Sequence, residues 1–260
     1  MNIKILQMIE GAKEAIGITV IIDVFRAFTV EAYLINNGVE KLMPVGDKQI
    51  AYDYKKHHND CILIGERRGI MLEGFDYGNS PSQIENIDFT RKTVIHTTSS
   101  GTQGIANAIN AKEILTGSLV NAKAIAEYIK SKGTEEVSLV AMGNGGETEA
   151  DEDTLCAKYI KSLLEGNEMK MDDKIENLKL VAGKRFFNKD LQNIFPERDF
   201  YLSTELNKFN FVLKVEKDNE GMNYIKKIDI RWNSKLKELG IKAIRGPRSA
   251  TKKLSKELNK

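Results

Sequence analysis

The sequence has few cysteines, no long apolar run and no large excess of either charge. Two cysteines in 260 residues are too few for a disulfide framework, so we expect a reducing, cytoplasmic compartment. No run approaches the roughly 20 apolar residues of a membrane span, and the first residues lack the apolar core and cleavage site of a signal peptide. The net charge of +2 argues against a dedicated nucleic-acid binder. We therefore expect a soluble globular protein, long enough to bury a large core.

Apolar, β-branched runs alternate with helix-like stretches through the first 165 residues. Such runs between helices indicate buried strands of a largely parallel sheet with helices on both faces. We therefore predict an α/β fold with three αβα layers. The predicted strands cover residues 17–24, 39–45, 61–66, 92–96, 112–117 and 136–143.

The pattern changes after about residue 166. Residues 165–179 are polar and resemble a connector, and Pro196 is placed to open a short helix. Two strand-like segments within residues 211–230 then flank Asn219-Glu220-Gly221, which is a hairpin signal. A C-terminal β-hairpin after α/β units predicts a mixed sheet rather than a purely parallel one.

The domain organisation is predicted as a single domain over residues 1–260, with two lobes and a boundary near residues 166–175 as the alternative. The tail from Lys242 is rich in lysine and arginine, with Glu257 as its only acid. A solvated terminal helix and a nucleic-acid arm both fit that composition, and we favour the helix.

Polar residues follow the predicted strands at the points where those strands end. In an open α/β sheet, ligands bind at the carboxyl ends of strands, where loops lead into helices. We therefore expect a ligand at these loops. They contain Asp23 with Arg26, Glu66 with Arg67 and Arg68, the run TTSSGT (97–102), and the acidic, glycine-rich segment 143–153.

The run TTSSGT places five hydroxyls and one glycine between a strand and a helix. Backbone N–H groups, hydroxyl donors and the helix dipole can converge there, which favours a phosphate or sulfonate site. The alternative is an ordinary helix N-cap, which needs one hydroxyl rather than five. The candidate ligand-binding residues of this run are Thr98, Ser99, Ser100, Gly101 and Thr102.

Acidic residues at two strand ends are candidate metal ligands. Asp23 could hold a divalent cation or attack phosphorus while Arg26 clamps phosphoryl oxygens, or it could simply cap the next helix. Glu152 and Asp153 follow Asp151 in the first turn of a predicted helix, where acids often only complement the helix dipole. Oxygen ligands clustered beside a phosphate loop are also what Mg²⁺ uses.

Other reactive residues carry weaker signals. Cys61 and Arg67 have the Cys-x5-Arg spacing of cysteine phosphatases, but a strand separates them where a glycine-rich loop is needed. His57 and His58 stand at the end of a predicted helix, away from other ligand-type residues. His96 precedes the hydroxyl run, where contact with a ligand and packing at the strand end are both open.

Six sequence blocks lie between about residues 20 and 165, at the predicted strand ends. The blocks are IDVFRAFT (22–29), GERRG (65–69), GFDYGNSPSQ (74–83), TTSSGT (97–102), GSLVNAKAIA (117–126) and AMGNGG…EADEDTLCA (141–157). Taken in this order, they resemble the 2-phosphosulfolactate phosphatase family. This chain departs from the usual family pattern at Phe25, Arg68, Ser99 and Ser100, which stand where the family more often has Leu, Gly, Thr and Asn.

The resemblance implies an Mg²⁺-dependent phosphatase that hydrolyses (2R)-phospho-3-sulfolactate to 3-sulfolactate and phosphate, a step towards coenzyme M. We expect Asp23, Glu152 and Asp153 to hold the cation. Arg26 and Arg67 would neutralise charge on the phosphoryl group in the transition state. The expected substrate-binding residues are Glu66, Asn79, Ser80, Thr98, Ser99, Ser100, Gly101, Thr102 and Asn121, of which Asn121 has helix capping as its alternative role.

Two other functions stay open on sequence alone. One is a phosphatase for another small organic phosphate ester, and the other is a small-anion binding protein without catalysis. An anion binder gains nothing from Asp23, Glu152 and Asp153 near its ligand, so the carboxylates favour catalysis. The expected partner is a small-molecule phosphate ester, without nucleic acid or membrane, and a homo-oligomer remains open.

Overall fold

The structure is a computed structural model that describes residues 1–230. The basic tail from Lys242 lies outside the described residues. The strands are β1 (Asn2–Gln7), β2 (Gly17–Ile22), β3 (Lys41–Pro44), β4 (Ile62–Arg67), β5 (Ile70–Met71), β6 (Thr93–Thr97), β7 (Ala111–Gly117), β8 (Glu136–Ala141), β9 (Phe211–Lys217) and β10 (Asn223–Asp229). The helices are α1 (Met8–Glu14), α2 (Ala27–Asn36), α3 (Lys48–His57), α4 (Pro81–Ile84), α5 (Gly101–Asn107), α6 (Ala122–Lys132), α7 (Asp151–Glu165), α8 (Asp172–Leu180) and α9 (Glu197–Thr204). Within residues 1–230, every helix is too short or too polar to cross a bilayer.

The larger sheet contains six strands in the order β1-β8-β2-β7-β9-β10. The first four strands run parallel, and β9 and β10 continue the sheet as antiparallel strands. β2 lies inside the sheet because its sequence GITVII is apolar on both faces, and Ile18 to Ile22 are all buried.

Helices cover both faces of this sheet. Val20 of β2 packs in a cluster with Ile129 of α6 and Ile160 of α7. Ile21, the next residue, packs with Ile105 of α5. Because successive side chains of a strand point to opposite faces, these contacts place helices above and below the sheet. The predicted three-layer α/β class is confirmed.

A second sheet contains four strands in the order β3-β6-β4-β5. Its pairs are parallel except for β4 and β5. The sequence predicted one mixed sheet, whereas residues 1–230 form two. Each predicted strand is apolar enough to be buried in either sheet, so the hydrophobic pattern could not show which strands pair.

The predicted C-terminal hairpin is confirmed, because β9 and β10 pair antiparallel. In its turn, Asp218 accepts hydrogen bonds from the backbone N–H groups of Glu220 and Met222. Gly221 has a φ of 80°, which glycine adopts without strain. β9 also pairs with β7, so the chain returns to the larger sheet after the connector. The single domain, and its two-lobed alternative, stay predictions.

Two elements at the start of the chain, β1 and α1, were not predicted. β1 is an edge strand that pairs only with β8 among the described strands. Its residues are exposed or half-buried, so NIKILQ lacks the continuous apolar run by which the other strands were recognised.

Candidate active site

A cavity of about 660 Å³ opens where the loops after β2, β4, β6 and β8 meet. Asp23, Arg67 and Ser100, which come from three of these loops, all line it. The structure therefore brings together polar strand ends that the sequence places far apart. The sequence-predicted residues that line the cavity are Asp23, Arg26, Glu66, Arg67, Asn79, Ser99 and Ser100. Those that do not line it are Ser80, Thr98, Gly101, Thr102, Asn121, Glu152 and Asp153.

Asp23 both caps a helix and faces the cavity. Its Oδ1 accepts a hydrogen bond of 3.1 Å from the backbone N–H of Ala27 at the start of α2. No donor within residues 1–230 bonds Oδ2, so this oxygen is available to a ligand. Burial raises the pKa of Asp23 to about 7; the bond from Ala27 opposes the shift, and repulsion from Glu66 and Glu152 adds to it.

Asp153 joins two of the loops that form the cavity. Its Oδ1 accepts a hydrogen bond of 2.7 Å from the N–H of Val24, and its Oδ2 accepts one of 2.9 Å from the N–H of Gly143. Burial, followed by repulsion from Asp23, raises its pKa well above the usual range. Both oxygens therefore accept backbone N–H groups, and Asp153 connects the loop after β2 to the loop after β8.

Glu152 is a buried acid with spare capacity to accept. Its Oε2 has no hydrogen-bond partner in the described part of the chain, and its Oε1 lies 3.6 Å from Nη2 of Arg185. Burial raises its pKa, and the charge of Arg185 partly opposes that shift. In residues 1–230, no group of three or more His, Cys, Asp or Glu side chains is arranged to hold a metal ion.

Glu66 connects the loop after β4 to the loop after β6. Its Oε1 accepts a bond of 2.7 Å from the N–H of Ser99. Its Oε2 accepts bonds from the N–H of Gly69 at 2.6 Å and from the Ser99 hydroxyl at 3.1 Å. The carboxylate thus fixes the entrance of the TTSSGT loop at the cavity wall.

The hydroxyls of TTSSGT mostly form hydrogen bonds with other groups of the protein. The N–H of Thr98 donates to Oγ1 of Thr102, and the N–H of Thr102 donates to Oγ1 of Thr98, at 3.0 and 3.2 Å. The hydroxyl of Ser100 donates to the carbonyl of Gly143 at 2.7 Å. The backbone N–H groups of Ser100 and Gly101 bond no acceptor in the part of the chain that the structure describes. What this loop offers an anion is therefore backbone amides more than hydroxyls.

Two arginines predicted to bind phosphate differ in how their charge is used. Arg26 is almost fully buried, and its Nη1 donates to Oδ2 of Asp199 at 2.6 Å and to the carbonyl of Ile194 at 2.9 Å. Burial lowers its pKa, and Asp199 opposes that shift. Arg67 donates instead to two backbone carbonyls and to Oγ1 of Thr97. Among the described residues it forms no ion pair, so its charge is available to an anion.

The segment between α8 and α9 supplies cavity residues that sequence reasoning missed. Arg185 and Phe195 both line the cavity. The Arg185 guanidinium carbon lies 5.9, 5.5 and 5.2 Å from the ring centres of Phe25, Phe186 and Phe195. An arginine among phenylalanines in RFF (185–187), followed by another in NIFPE (193–197), is the only signal that could have indicated this wall.

Asn79, which lines the cavity, contacts a buried histidine, His96. Nε2 of His96 lies 3.4 Å from Oδ1 of Asn79, and its Nδ1 lies 3.1 Å from Oε1 of Glu31. Thr116 donates to the other carboxylate oxygen of Glu31 at 3.2 Å. His96 does not line the cavity, so of its two open roles the structure shows the packing one. Ser80, next to Asn79, donates to Oδ1 of Asp199 at 2.8 Å.

Several weaker candidates lie away from the cavity. Oδ1 of Asn121 accepts a hydrogen bond from the N–H of Ser118 at 3.0 Å, which is the capping role named as its alternative. Cys61 is buried in an apolar cluster. His57 and His58 are exposed, and each bonds a backbone carbonyl of its own helix.

Comparison with known proteins points to one family. The sequence model of the family described as 2-phosphosulpholactate phosphatase matches residues 4–218. A protein of Bacillus subtilis (strain 168), named a probable 2-phosphosulfolactate phosphatase, is 32% identical over 206 residues, covering 78% of this chain and 89% of its own. A protein of the same name from Clostridium tetani is 34% identical over 192 residues, covering 73% of this chain and 80% of its own.

Proposed function

The chain belongs to the 2-phosphosulfolactate phosphatase family. On that premise we propose that the protein hydrolyses (2R)-phospho-3-sulfolactate to 3-sulfolactate and phosphate in this cavity. One observation carries the proposal: four arginines, Arg26, Arg67, Arg68 and Arg185, line the same cavity as the buried carboxylate of Asp23. The substrate carries a phosphate, a sulfonate and a carboxylate, so it needs several cationic contacts within one site.

Arg67 is the residue we assign to the phosphoryl group. It lines the cavity and forms no ion pair within residues 1–230. The backbone N–H of Ser100, which also lines the cavity and bonds no acceptor within residues 1–230, offers a further donor to the same oxygens. Donors already held in place stabilise charge that develops on the phosphoryl oxygens without reorganising during the reaction.

Two buried carboxylates, Asp23 at the cavity wall and Glu152 close enough to repel it, support the proposal of a magnesium ion. Mg²⁺ takes oxygen ligands and is commonly held by one or two carboxylates together with water. Asp23 and Glu152 each have one oxygen without a hydrogen-bond donor in the described residues, and burial, with smaller contributions from the charges of Glu66 and Glu152, raises the pKa of Asp23. We therefore assign the ion to Asp23 and Glu152, with Asp153 supporting the loops around them. A bound cation would neutralise negative charge on the phosphoryl group.

The carboxylates also favour catalysis over simple anion binding. Burying Asp23 beside Glu66 and Glu152 costs stability, as the raised pKa of Asp23 reflects. A protein that only binds anions would gain nothing from burying these acids, because carboxylates near an anionic ligand repel the ligand. We further propose a cytoplasmic location and a step towards coenzyme M, in line with the reducing compartment expected from two free cysteines.

Phosphate release from (2R)-phospho-3-sulfolactate and from a panel of unrelated phosphate esters tests the proposal. We expect the highest kcat/KM for phosphosulfolactate, with activity lost in excess chelator and restored by Mg²⁺. Equal or faster turnover of unrelated esters would contradict the substrate. Release that persists in excess chelator would contradict the role of the cation.

A further inference from the structure

We propose that Arg185 forms a separate anion subsite in the cavity and binds the sulfonate of the substrate, so that it sets specificity without taking part in phosphoryl transfer. The inference rests on the proposed function for the identity of the substrate. It assigns a role to a segment of the chain, residues 182–195, in which no sequence motif was recognised.

The first argument is that the donors of Arg185 are underused. A guanidinium group has five N–H donors. Nη1 donates to Oδ1 of Asn144 at 3.3 Å, and Nη2 is 3.6 Å from Oε1 of Glu152, which is beyond hydrogen-bond length. Nε is buried with no partner among the described residues. The side chain of Arg185 is 30% exposed, so its two Nη groups keep donors for a bound anion, unlike an arginine whose charge is fully paired.

The second argument is that aromatic rings hold the guanidinium in place. Phe25, Phe186 and Phe195 each have a ring centre within 6 Å of it, and Phe186 is completely buried. Rings in this position restrict the orientation of an arginine and lower the entropic cost of binding an anion. A guanidinium is weakly hydrated, and a sulfonate spreads one charge over three oxygens, so each loses little hydration on meeting the other.

The third argument is that the arginines of the cavity have different partners and come from different segments of the chain. Arg26 is already bonded to the carboxylate of Asp199. Arg67 is held by the carbonyls of Glu66 and Gly46, in the loops around the smaller sheet. Arg185 comes from the segment that follows α8. Arg67 and Arg185 thus present two separate positive charges to one cavity, which suits a substrate that carries a phosphate and a sulfonate on neighbouring carbons.

The competing role for Arg185 is to neutralise Glu152 alone. In that case the loss of Arg185 would disturb the carboxylates of the site, and turnover of every phosphate ester would fall alike. A sulfonate subsite makes a different demand: only substrates with a sulfonate should suffer. The comparison substrate is 2-phospholactate, which keeps the phosphate and the carboxylate but lacks the sulfonate.

The test compares Arg185→Gln with Arg198→Gln, a matched loss of charge at an exposed arginine that pairs with Glu85 outside the cavity. For Arg185→Gln we expect KM for phosphosulfolactate to rise at least about tenfold with little change in kcat, and KM for 2-phospholactate to change less than about twofold. Arg185→Lys should recover only part of the loss, because it restores the charge without the fork of donors. A similar loss for both substrates, or no loss for either, would overturn the inference.

Binding measured by calorimetry separates this inference from the proposed function. The wild-type protein should bind 3-sulfolactate and inorganic phosphate, and Arg185→Gln should lose affinity for 3-sulfolactate at least about tenfold while keeping its affinity for phosphate. If the wild type releases no phosphate from phosphosulfolactate but shows this pattern of binding, the function fails and the subsite stands. If the wild type hydrolyses phosphosulfolactate and both ligands bind the variant as before, the subsite fails and the function stands.

Discussion

Oδ2 of Asp199 lies 2.6 Å from Nη1 of Arg26, and the two side chains are only 0% and 3% exposed. Asp199 also accepts hydrogen bonds from the hydroxyl of Ser80 and the N–H of Ser82. The pair therefore joins α9 to the loop after β2 and to the start of α4. It fixes Arg26 at the wall of the cavity, and it shows that the last third of the described chain helps to build the site.

Asp199→Asn should destabilise the protein strongly. The amide keeps the size of the side chain but leaves the charge of Arg26 buried without a counter-charge, which costs about 3–5 kcal/mol. Denaturant unfolding measures this loss. Glu85→Gln is the matched control, because it removes the partner of the 59% exposed Arg198 and should cost about 1 kcal/mol or less. Equal effects of the two substitutions would contradict the importance of the buried pair.

Asp23 should make the metal-free protein less stable as the pH rises from about 4 to about 7. Its pKa is about 7 in the folded protein, against an ordinary value of 3.8. Between these values the folded state holds a proton that the unfolded state has lost, so unfolding becomes easier with rising pH. At neutral pH, Asp23→Asn should stabilise the metal-free protein by up to about 4 kcal/mol while abolishing activity.

Denaturant unfolding of the wild type and Asp23→Asn across this pH range, in excess chelator, measures the effect. The pH dependence should be weaker in the variant. Some dependence of the same sign should remain, because the pKa values of Glu152 and Asp153 are also raised. Identical slopes for the two proteins would show that Asp23 is not the buried acid we take it to be.

Magnesium should stabilise the wild-type protein against heat, and Glu152→Gln should weaken that effect. A ligand that binds only the folded state raises the unfolding temperature, and at a given concentration a tighter ligand raises it more. Glu152 is buried with one oxygen that has no partner within residues 1–230, whereas Asp151 beside it is exposed. Asp151→Asn is therefore the matched control and should respond to Mg²⁺ like the wild type. An unchanged response in Glu152→Gln would remove Glu152 from the cation site.

Arg67→Gln should lower kcat/KM for all phosphate esters by about 100-fold to 1,000-fold, with or without a sulfonate. Arg67 is assigned to the phosphoryl group, and loss of one preorganised donor to transition-state charge has an effect of this size. Steady-state kinetics with phosphosulfolactate and 2-phospholactate measures it, with Arg198→Gln as the control. A loss confined to the substrate with the sulfonate would exchange the roles of Arg67 and Arg185.

The convergence of Glu66 and Ser100 was accessible from sequence, because β4 and β6 are parallel neighbours whose carboxyl ends meet at one edge of the smaller sheet. Asp23 follows β2 of the larger sheet, so the single sheet predicted from the sequence does not explain why it meets them. The hydrogen-bond partners of the TTSSGT hydroxyls could not be predicted from the sequence. Thr98 and Thr102 bond each other across one turn, and composition alone cannot show whether a hydroxyl serves a ligand or the protein. The division of the strands into two sheets was hidden for a similar reason, since buried strands look alike in sequence.

Arg185 and Asp199 show where sequence reasoning ended. Both lie beyond the last recognised block, in a 3₁₀ segment and in the short helix α9. Their roles depend on how that segment packs against Phe25 and Arg26 of the loop after β2. For Arg185 the neighbouring phenylalanines are the only local signal, and Asp199 has no local pattern that distinguishes it from an ordinary acid in a first helical turn.

The most direct measurement is a crystal structure of the protein with 3-sulfolactate and Mg²⁺. We expect the product in the cavity between Asp23, Arg67 and Ser100, with its sulfonate bonded to Arg185 and the ion on Asp23 and Glu152. A product bound elsewhere on the protein, with this cavity left to solvent, would contradict the assignment of the active site.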